Sequence, residues 1–188
     1  MLRNAANILS LIRIPASLGV LAAYEPHSPL RLWIGVALVI VIMGSDFFDG
    51  RIARKYHLES KFGYVLDGLG DRACHVSAYL LLFMTGILNV LVVWILIFRE
   101  ISQYAVRLVH VEWHASQSKI DRAVAQIFTT IVQGMLLGEL LRAIVWPDAS
   151  FSRAYVIGSN FIIFAAVAAS YARIAPQLLR AWHSATRA

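Results

Sequence analysis

Four aspartates lie close together in the sequence, in two pairs whose spacing suits an α-helix. Asp46 and Asp49 are three residues apart, and Asp67 and Asp71 are four residues apart. On a helix, either spacing places the two carboxylates of a pair on one face, about one turn apart. Carboxylate oxygens are the ligands preferred by hard cations such as Mg²⁺, Mn²⁺ and Ca²⁺. The pattern therefore predicts a divalent-metal site, and two metal ions held by four carboxylates can polarise a diphosphate.

The segments around these aspartates are apolar enough to lie in a membrane. Of 188 residues, 59% are hydrophobic and 15% are charged, whereas a soluble domain of this size needs a more polar surface. We predict an all-α polytopic membrane protein, a single domain over residues 1–188 with no signal peptide. Residues 3–13 are predicted to form an interfacial amphipathic helix, 14–174 a six-helix bundle and 175–188 a cytoplasmic tail. The six predicted transmembrane helices are the apolar runs at 14–24, 31–49, 66–86, 88–108, 122–145 and 154–174.

The basic residues predict how the bundle is oriented. With six spans, 14 arginines and lysines fall on the side of the two termini and three fall on the other side. Positive charge collects in cytoplasmic loops, so both termini and the aspartates are predicted to be cytoplasmic, at a bacterial inner membrane. The net charge of +6 then suits anionic membrane lipids, and nucleic acid is not an expected partner.

Carboxylates at membrane depth need a partner. Each costs about 2.5–3.5 kcal/mol on insertion scales, and four together repel one another unless they protonate or bind cations. A structural alternative is that basic residues nearby neutralise the aspartates at the helix ends, namely Arg51, Arg54, Lys55 and Arg72. Such pairing can account for one pair of aspartates, and a metal site is the better explanation for four.

Eight residues at fixed spacing over 26 positions resemble the signature of the CDP-alcohol phosphotransferase family. They are Asp46, Asp49, Gly50, Ala53, Arg54, Gly63, Asp67 and Asp71. Six spans, cytoplasmic termini and a chain near this length are also typical of that family. The resemblance implies transfer of a phosphatidyl group from a CDP-linked donor, usually CDP-diacylglycerol, to an alcohol, with release of CMP. It also implies a homodimer, because related enzymes are homodimers.

The same resemblance assigns roles to the four aspartates. Asp46, Asp49 and Asp67 would hold the metals, two ions of Mg²⁺ or Mn²⁺. Asp71 would be a further ligand and the general base, which takes the proton from the acceptor hydroxyl as that hydroxyl attacks the β-phosphorus.

The other residues of the signature are expected at the CDP-bearing donor. Gly50 and Ala53 would let the cytidine approach the helix closely, and Arg54 would pair with the diphosphate. Gly63 would permit a tight entry into the third helix. Asn7 begins a segment, residues 7–13, that resembles the start of phosphatidylglycerophosphate synthases, where an interfacial helix lies over the nucleotide site. An ordinary amphipathic helix explains the same segment.

A basic cluster is the candidate acceptor site. Arg107 and the segment 118–122 resemble parts of phosphatidylglycerophosphate synthases, which implies that Lys119, Arg122 and Arg107 hold a phosphorylated acceptor such as glycerol 3-phosphate. Ser118 and Asp121 depart from the usual Gly-Lys-x-Lys-Thr pattern, and a carboxylate beside a phosphate pocket weakens anion binding unless it is paired. Inositol phosphate, serine or another polar alcohol therefore stays open as the acceptor. Lys119 and Arg122 can also be read as flanking charge.

Two other protein classes place carboxylates within membranes. An intramembrane prenyltransferase has a different aspartate spacing and more helices than this chain can form. A cation transporter would carry acidic residues near the bilayer midplane on several helices. Here the acidic cluster is confined to the ends of two predicted helices on one side, which disfavours transport.

Three smaller features predict helix packing. Gly86 and Asn89 mark a tight turn, which predicts a hairpin of helices three and four. Arg99 and Glu100 are expected to pair with each other or with a neighbouring helix. His75, one turn beyond the last aspartate of the cluster, is expected to pack between helices rather than to orient a site carboxylate.

Overall fold

The protein is an α-helical bundle, described by a computed structural model over residues 2–55, 61–113 and 119–185. Side chains at 46–62, 64, 106–125 and most positions before 11 and after 172 lie outside this description. In the described ranges all regular secondary structure is helical, which confirms the all-α prediction. The helices are α1 (Leu2–Ala23), α2 (Pro29–Lys55), α3 (Lys61–Met84), α4 (Val90–Trp113), α5 (Lys119–Val145) and α6 (Arg153–Ala185).

Helix α1 packs against the two helices that carry the aspartates. It contacts both α2 and α3, and α3 in turn packs against α4 and α5. α2 contacts α5, and α4 contacts α6. Aliphatic side chains fill the core, and Leu32, Leu82 and Leu140 have no exposed surface. The position of α1 therefore decides how the two aspartate-bearing helices are held together.

The turn between α3 and α4 confirms the predicted hairpin. Gly86 has a φ of 79°, a left-handed conformation that glycine adopts without steric cost. The N–H of Ile87 donates to the carbonyl of Leu82 at 3.0 Å, which satisfies one of the last carbonyls of α3. Asn89 caps the next helix, because its Oδ1 accepts a hydrogen bond from the N–H of Val92 at 2.9 Å.

Helix α1 crosses the predicted boundary between an interfacial helix at 3–13 and a span at 14–24. α1 runs without a break from Leu2 to Ala23 and contains Pro15. Arg13, the last residue of the predicted interfacial segment, is only 1% exposed, because it reaches carboxylates on another helix. The location of residues 3–13 at a membrane interface stays a prediction.

Two helices extend further than the apolar runs predict. α2 continues beyond its run, which stops at 49, to Lys55. α6 continues to Ala185, through most of the predicted tail at 175–188. Hydropathy marks where a segment becomes polar, whereas a helix ends where its backbone hydrogen bonds end. The additional turns include leucine, alanine and arginine, which favour helix.

Two segments of the described chain are long and apolar enough to cross a membrane on length and composition alone. They are Gln126–Val145 and Arg153–Ala172, while Leu11–Ala23 and Pro29–Ser45 are apolar but shorter. α3 includes Asp67, Asp71 and Arg72, and these charges lower its hydropathy. The six-span topology therefore stays a prediction.

A charged cluster joins the C-terminal end of α1 to α5. Arg142 donates through Nε and Nη2 to the carboxylate of Glu139, both at 2.9 Å. The hydroxyl of Tyr24 donates to the same carboxylate at 2.8 Å. Arg142 also donates through Nη1 to the carbonyls of Trp146 and Ala149. The cluster fixes the α5–α6 connection against the bundle.

Candidate active site

Asp67 and Asp71 lie on one face of α3 and approach the same group. The Nη1 of Arg13 donates to Oδ1 of Asp67 at 3.1 Å and to Oδ1 of Asp71 at 2.8 Å. The two aspartate side chains are 34% and 28% exposed, so a substrate can approach them. The structure confirms that the spacing of four places this pair on one face.

Arg13 connects three helices at this point. Its side chain is 1% exposed, and its Nε donates to Oγ of Ser45 on α2 at 3.1 Å. The Ser45 hydroxyl in turn donates to the carbonyl of Ile42 at 2.8 Å, which aims its oxygen lone pairs at the arginine. Ser45 directly precedes Asp46, so Arg13 joins α2 to α3 at the level of the aspartate signature.

The first aspartate pair is described only by its backbone. Asp46 and Asp49 lie on α2, and their side chains are outside the description, so the convergence of all four carboxylates stays a prediction. Within the described residues no group of three or more His, Cys, Asp or Glu is arranged around a common point. The Oδ1 atoms of Asp67 and Asp71 do meet at one nitrogen, and two carboxylate oxygens facing one point suit an oxygen-liganded cation.

The other residues predicted for the site are distributed over five helices. Gly63 lies in the first turn of α3 and is partly buried. The remainder are placed by their backbone alone, with side chains outside the description: Asn7 on α1, Gly50, Ala53 and Arg54 on α2, Arg107 on α4, and Lys119 and Arg122 on α5. Their roles at the donor and the acceptor stay predictions.

A second group of charges is buried next to the aspartates, around Glu100 of α4. Glu100 is 2% exposed. Its Oε1 accepts hydrogen bonds from Nη1 of Arg99 at 2.6 Å and from the hydroxyl of Tyr79 at 2.9 Å. The predicted pairing of Arg99 with Glu100 is confirmed, and Tyr79 extends it to α3.

Arg72 lies between this second group and Asp71. Its Nη1 is 3.8 Å from Oδ2 of Asp71, and its Nε is 3.6 Å from Oε2 of Glu100. His75 approaches the same Oε2 with Nδ1 at 3.3 Å, although neither contact has hydrogen-bond geometry. His75 also lies against the ring of Phe128. His75 is thus buried between helices and faces the carboxylate of Glu100.

Arg99 extends the buried network around Glu100 from α3 and α4 to α5 and α6. Its Nε donates to Oγ of Ser170 on α6 at 3.1 Å, and Gln103 donates to the same hydroxyl at 3.1 Å. The guanidinium carbon of Arg99 lies 3.5 Å from the ring centre of Phe128 on α5, in the geometry of a cation–π contact. The buried charges next to the site therefore bind α3, α4, α5 and α6 together.

Sequence reasoning named Arg72 beside the aspartates but missed Arg13 as the partner of Asp67 and Asp71. The available signal for Arg13 was a charged residue that interrupts an apolar run, since such residues commonly face an internal partner. No local spacing identified the partner, because Asp67 and Asp71 lie 54 and 58 residues further along the chain.

Comparison with known sequences places this arrangement in a family. A sequence model of the CDP-alcohol phosphatidyltransferase family matches residues 3–174. The match covers most of the chain and includes all of the aspartate signature. The protein therefore belongs to the CDP-alcohol phosphatidyltransferase family and is an enzyme.

Several curated proteins resemble the chain over part of its length. A Cereibacter sphaeroides protein named CDP-diacylglycerol--glycerol-3-phosphate 3-phosphatidyltransferase is 36% identical over 99 residues, 50% of this chain and 45% of that protein. A Rickettsia bellii protein of the same name is 39% identical over 69 residues, 37% of this chain and 38% of that protein. An Arabidopsis thaliana protein, numbered 2 under that name, is 35% identical over 138 residues, 65% of this chain and 56% of that protein. The chain thus spans about half the length of the curated relatives it matches.

Proposed function

We propose that the protein transfers the phosphatidyl group of CDP-diacylglycerol to glycerol 3-phosphate, giving phosphatidylglycerophosphate and CMP. The placement of Asp67 and Asp71 carries this proposal, because their Oδ1 atoms converge in a partly open site of a chain whose relatives are named for that reaction. In the reaction, the acceptor oxygen bonds to the β-phosphorus and the phosphoanhydride bond breaks. CMP leaves with the bridging oxygen, and the acceptor proton passes to Asp71.

The four aspartates of the signature, Asp46, Asp49, Asp67 and Asp71, would hold two divalent ions, Mg²⁺ or Mn²⁺. Ions bound there would neutralise the diphosphate and improve CMP as a leaving group. The converging oxygens of Asp67 and Asp71 support this assignment, since an all-oxygen donor set suits hard cations.

The chain's own residues would orient the reacting groups. Asp71 is partly exposed, so an acceptor hydroxyl can reach its carboxylate. Arg13 donates to the Oδ1 of Asp71, which orients the carboxylate of the proposed base before substrate and metal bind. Such positioning of a reacting group lowers the entropic part of the barrier.

The donor and the acceptor would be bound by the signature and by the basic cluster. Gly50, Ala53, Gly63 and Asn7 are assigned to the nucleotide, and Arg54 to its diphosphate. The phosphate of glycerol 3-phosphate is assigned to Arg107, Lys119 and Arg122. Another polar alcohol is the second candidate acceptor, because Ser118 and Asp121 depart from the usual pattern at this cluster.

We place the enzyme in a bacterial inner membrane, as a homodimer with six spans and with both termini and the site cytoplasmic. Large hydrophobic side chains on the outside of the bundle support a lipid environment, for example Phe161 at 72%, Leu91 at 70% and Trp94 at 67% exposure. The lipid tails of the donor would then leave the site sideways into the bilayer.

CMP release tests the proposed function. The purified full-length protein is supplied with CDP-diacylglycerol, Mg²⁺ or Mn²⁺, and in turn glycerol 3-phosphate, inositol phosphate or serine. We expect CMP and phosphatidylglycerophosphate only with glycerol 3-phosphate and only with metal. Release with a different acceptor would replace the acceptor assignment, and release in EDTA would contradict the metal assignment.

A further inference from the structure

Arg13 is a buried cation that occupies the space between two carboxylates assigned to a metal. Its side chain is 1% exposed, and one nitrogen, Nη1, contacts Oδ1 of both Asp67 and Asp71. Its other described donor, Nε, is bound by Ser45 on a different helix. The guanidinium is thus fixed on two sides, and its position does not depend on solvent or on a flexible loop.

The contact geometry makes Arg13 and a metal ion competitors for the same oxygens. A divalent ion bound by both Oδ1 atoms would lie between them, where Nη1 now lies at 2.8 and 3.1 Å. Two positive groups cannot share that position, and like charges close together repel strongly away from bulk water. Binding of metal there requires the guanidinium to move away from at least one aspartate.

We propose that Arg13 is a built-in counter-ion, which holds Asp67 and Asp71 together in the metal-free enzyme and lowers the affinity of the site for metal. The inference rests on the proposed metal site. It adds that the metal affinity is set by a residue of α1, outside the aspartate signature. Without Arg13, the two aspartates would repel each other in the metal-free enzyme and attract a divalent ion more strongly.

The two roles of Arg13 predict that Arg13→Gln lowers the stability of the protein in EDTA but raises its affinity for Mn²⁺. In EDTA, the thermal midpoint should fall, because both carboxylates lose the cation that lies between them. The dissociation constant of Mn²⁺, measured directly by titration of the full-length protein, should also fall, by about tenfold for the loss of one nearby positive charge. Added Mn²⁺ should therefore raise the thermal midpoint more in the variant than in the unaltered enzyme.

Three further variants isolate the cause. Arg13→Lys keeps the charge, so its Mn²⁺ affinity should stay within about threefold of the unaltered enzyme. Ser45→Ala keeps Arg13 but removes the acceptor of its Nε. The guanidinium is then held less firmly, so Mn²⁺ should displace it more easily and bind a few-fold more tightly. Arg31→Gln is the matched control, because Arg31 is 51% exposed and pairs with Glu25, away from the aspartates. It should leave the Mn²⁺ affinity unchanged and shift the thermal midpoint only slightly.

Each result decides between competition and simple scaffolding. If Arg13 only shaped the site, Arg13→Gln and Ser45→Ala would both weaken Mn²⁺ binding, and the inference would be overturned. Ser45→Ala decides the matter even if Arg13→Gln does not fold. If the unaltered protein binds no Mn²⁺, the proposed metal site fails and the inference fails with it. If it binds Mn²⁺ and Arg13→Gln leaves the affinity unchanged, the inference alone fails.

Discussion

Charges of alternating sign run through the residues around Asp71. Arg13 contacts its Oδ1 at 2.8 Å, and Arg72 lies 3.8 Å from its Oδ2. Glu100 lies 3.6 Å from Arg72 and is itself bound by Arg99 at 2.6 Å. Charges removed from water are stable only where they are paired. The proposed base is thus one member of a charge network that spans α1, α3 and α4, and its geometry depends on residues on all three helices.

Asp71→Asn tests the proposed base. The amide keeps the shape of the side chain and can still accept a hydrogen bond from Arg13, but it cannot take up a proton. We expect CMP release to fall by at least about 100-fold, the lower range for loss of a general base. The thermal midpoint should fall less than in Glu100→Gln, because Asp67 still pairs with Arg13. Asp148→Asn in the exposed α5–α6 connection is the control and should keep full activity. Retained activity in Asp71→Asn would exclude Asp71 as the base.

Glu100→Gln tests the buried network. The substitution leaves Arg99 buried at 1% exposure without its carboxylate partner, and breaking a buried ion pair costs about 3–5 kcal/mol. We expect a clear fall in the thermal midpoint of the purified protein. Glu25→Gln, in a pair that is about half exposed, should cost under about 1 kcal/mol. If Glu100→Gln lowered the thermal midpoint as little as Glu25→Gln does, the Glu100 network would not stabilise the bundle.

At the scale of elements, the α3–α4 hairpin depends on a single backbone conformation. A Cβ added at Gly86 would meet nothing within 4 Å, so any cost of Gly86→Ala comes from its φ of 79°. We expect a loss of about 1–2 kcal/mol. Gly158→Ala on α6, which also has open space for the new atom, should be neutral or stabilise by up to about 1 kcal/mol. A stabilising Gly86→Ala would contradict the left-handed turn.

Local sequence spacing predicted the elements and the contacts within one helix or one turn. The spacing of Asp67 and Asp71, the Gly86 turn and the adjacent pair Arg99–Glu100 are of this kind, because helix periodicity and turn chemistry act over a few residues. The partners of Arg13 could not be predicted this way. A buried arginine finds its partners only when α1 packs on α3. Hydropathy along the chain gives no information about which helices pack together.

At the scale of the whole molecule, the distribution of basic residues predicts a defined topology. Cys74 is the only cysteine of the chain, so Cys74→Ser gives a background for single-cysteine labelling. In intact bacterial cells, a membrane-impermeant maleimide should label Asp148→Cys in the α5–α6 connection. It should label Ser184→Cys near the C-terminus only after the cells are broken. The reverse labelling pattern would show that the proposed orientation is inverted. Equal labelling of both positions in intact cells would contradict their placement on opposite sides of the membrane.

The long sequence separation of Arg13 from its carboxylates has a consequence for biogenesis. Arg13 leaves the ribosome 58 residues before Asp71, an interval of roughly 3–12 s at ordinary rates of synthesis. During that interval a fully inserted α1 would carry an arginine into lipid before α3 exists, at about 2.5–3.5 kcal/mol on insertion scales. We therefore expect the nascent α1 to wait at the membrane surface and to enter the bundle only when α3 arrives. Helix α1 would then be synthesised before α3 but inserted together with it.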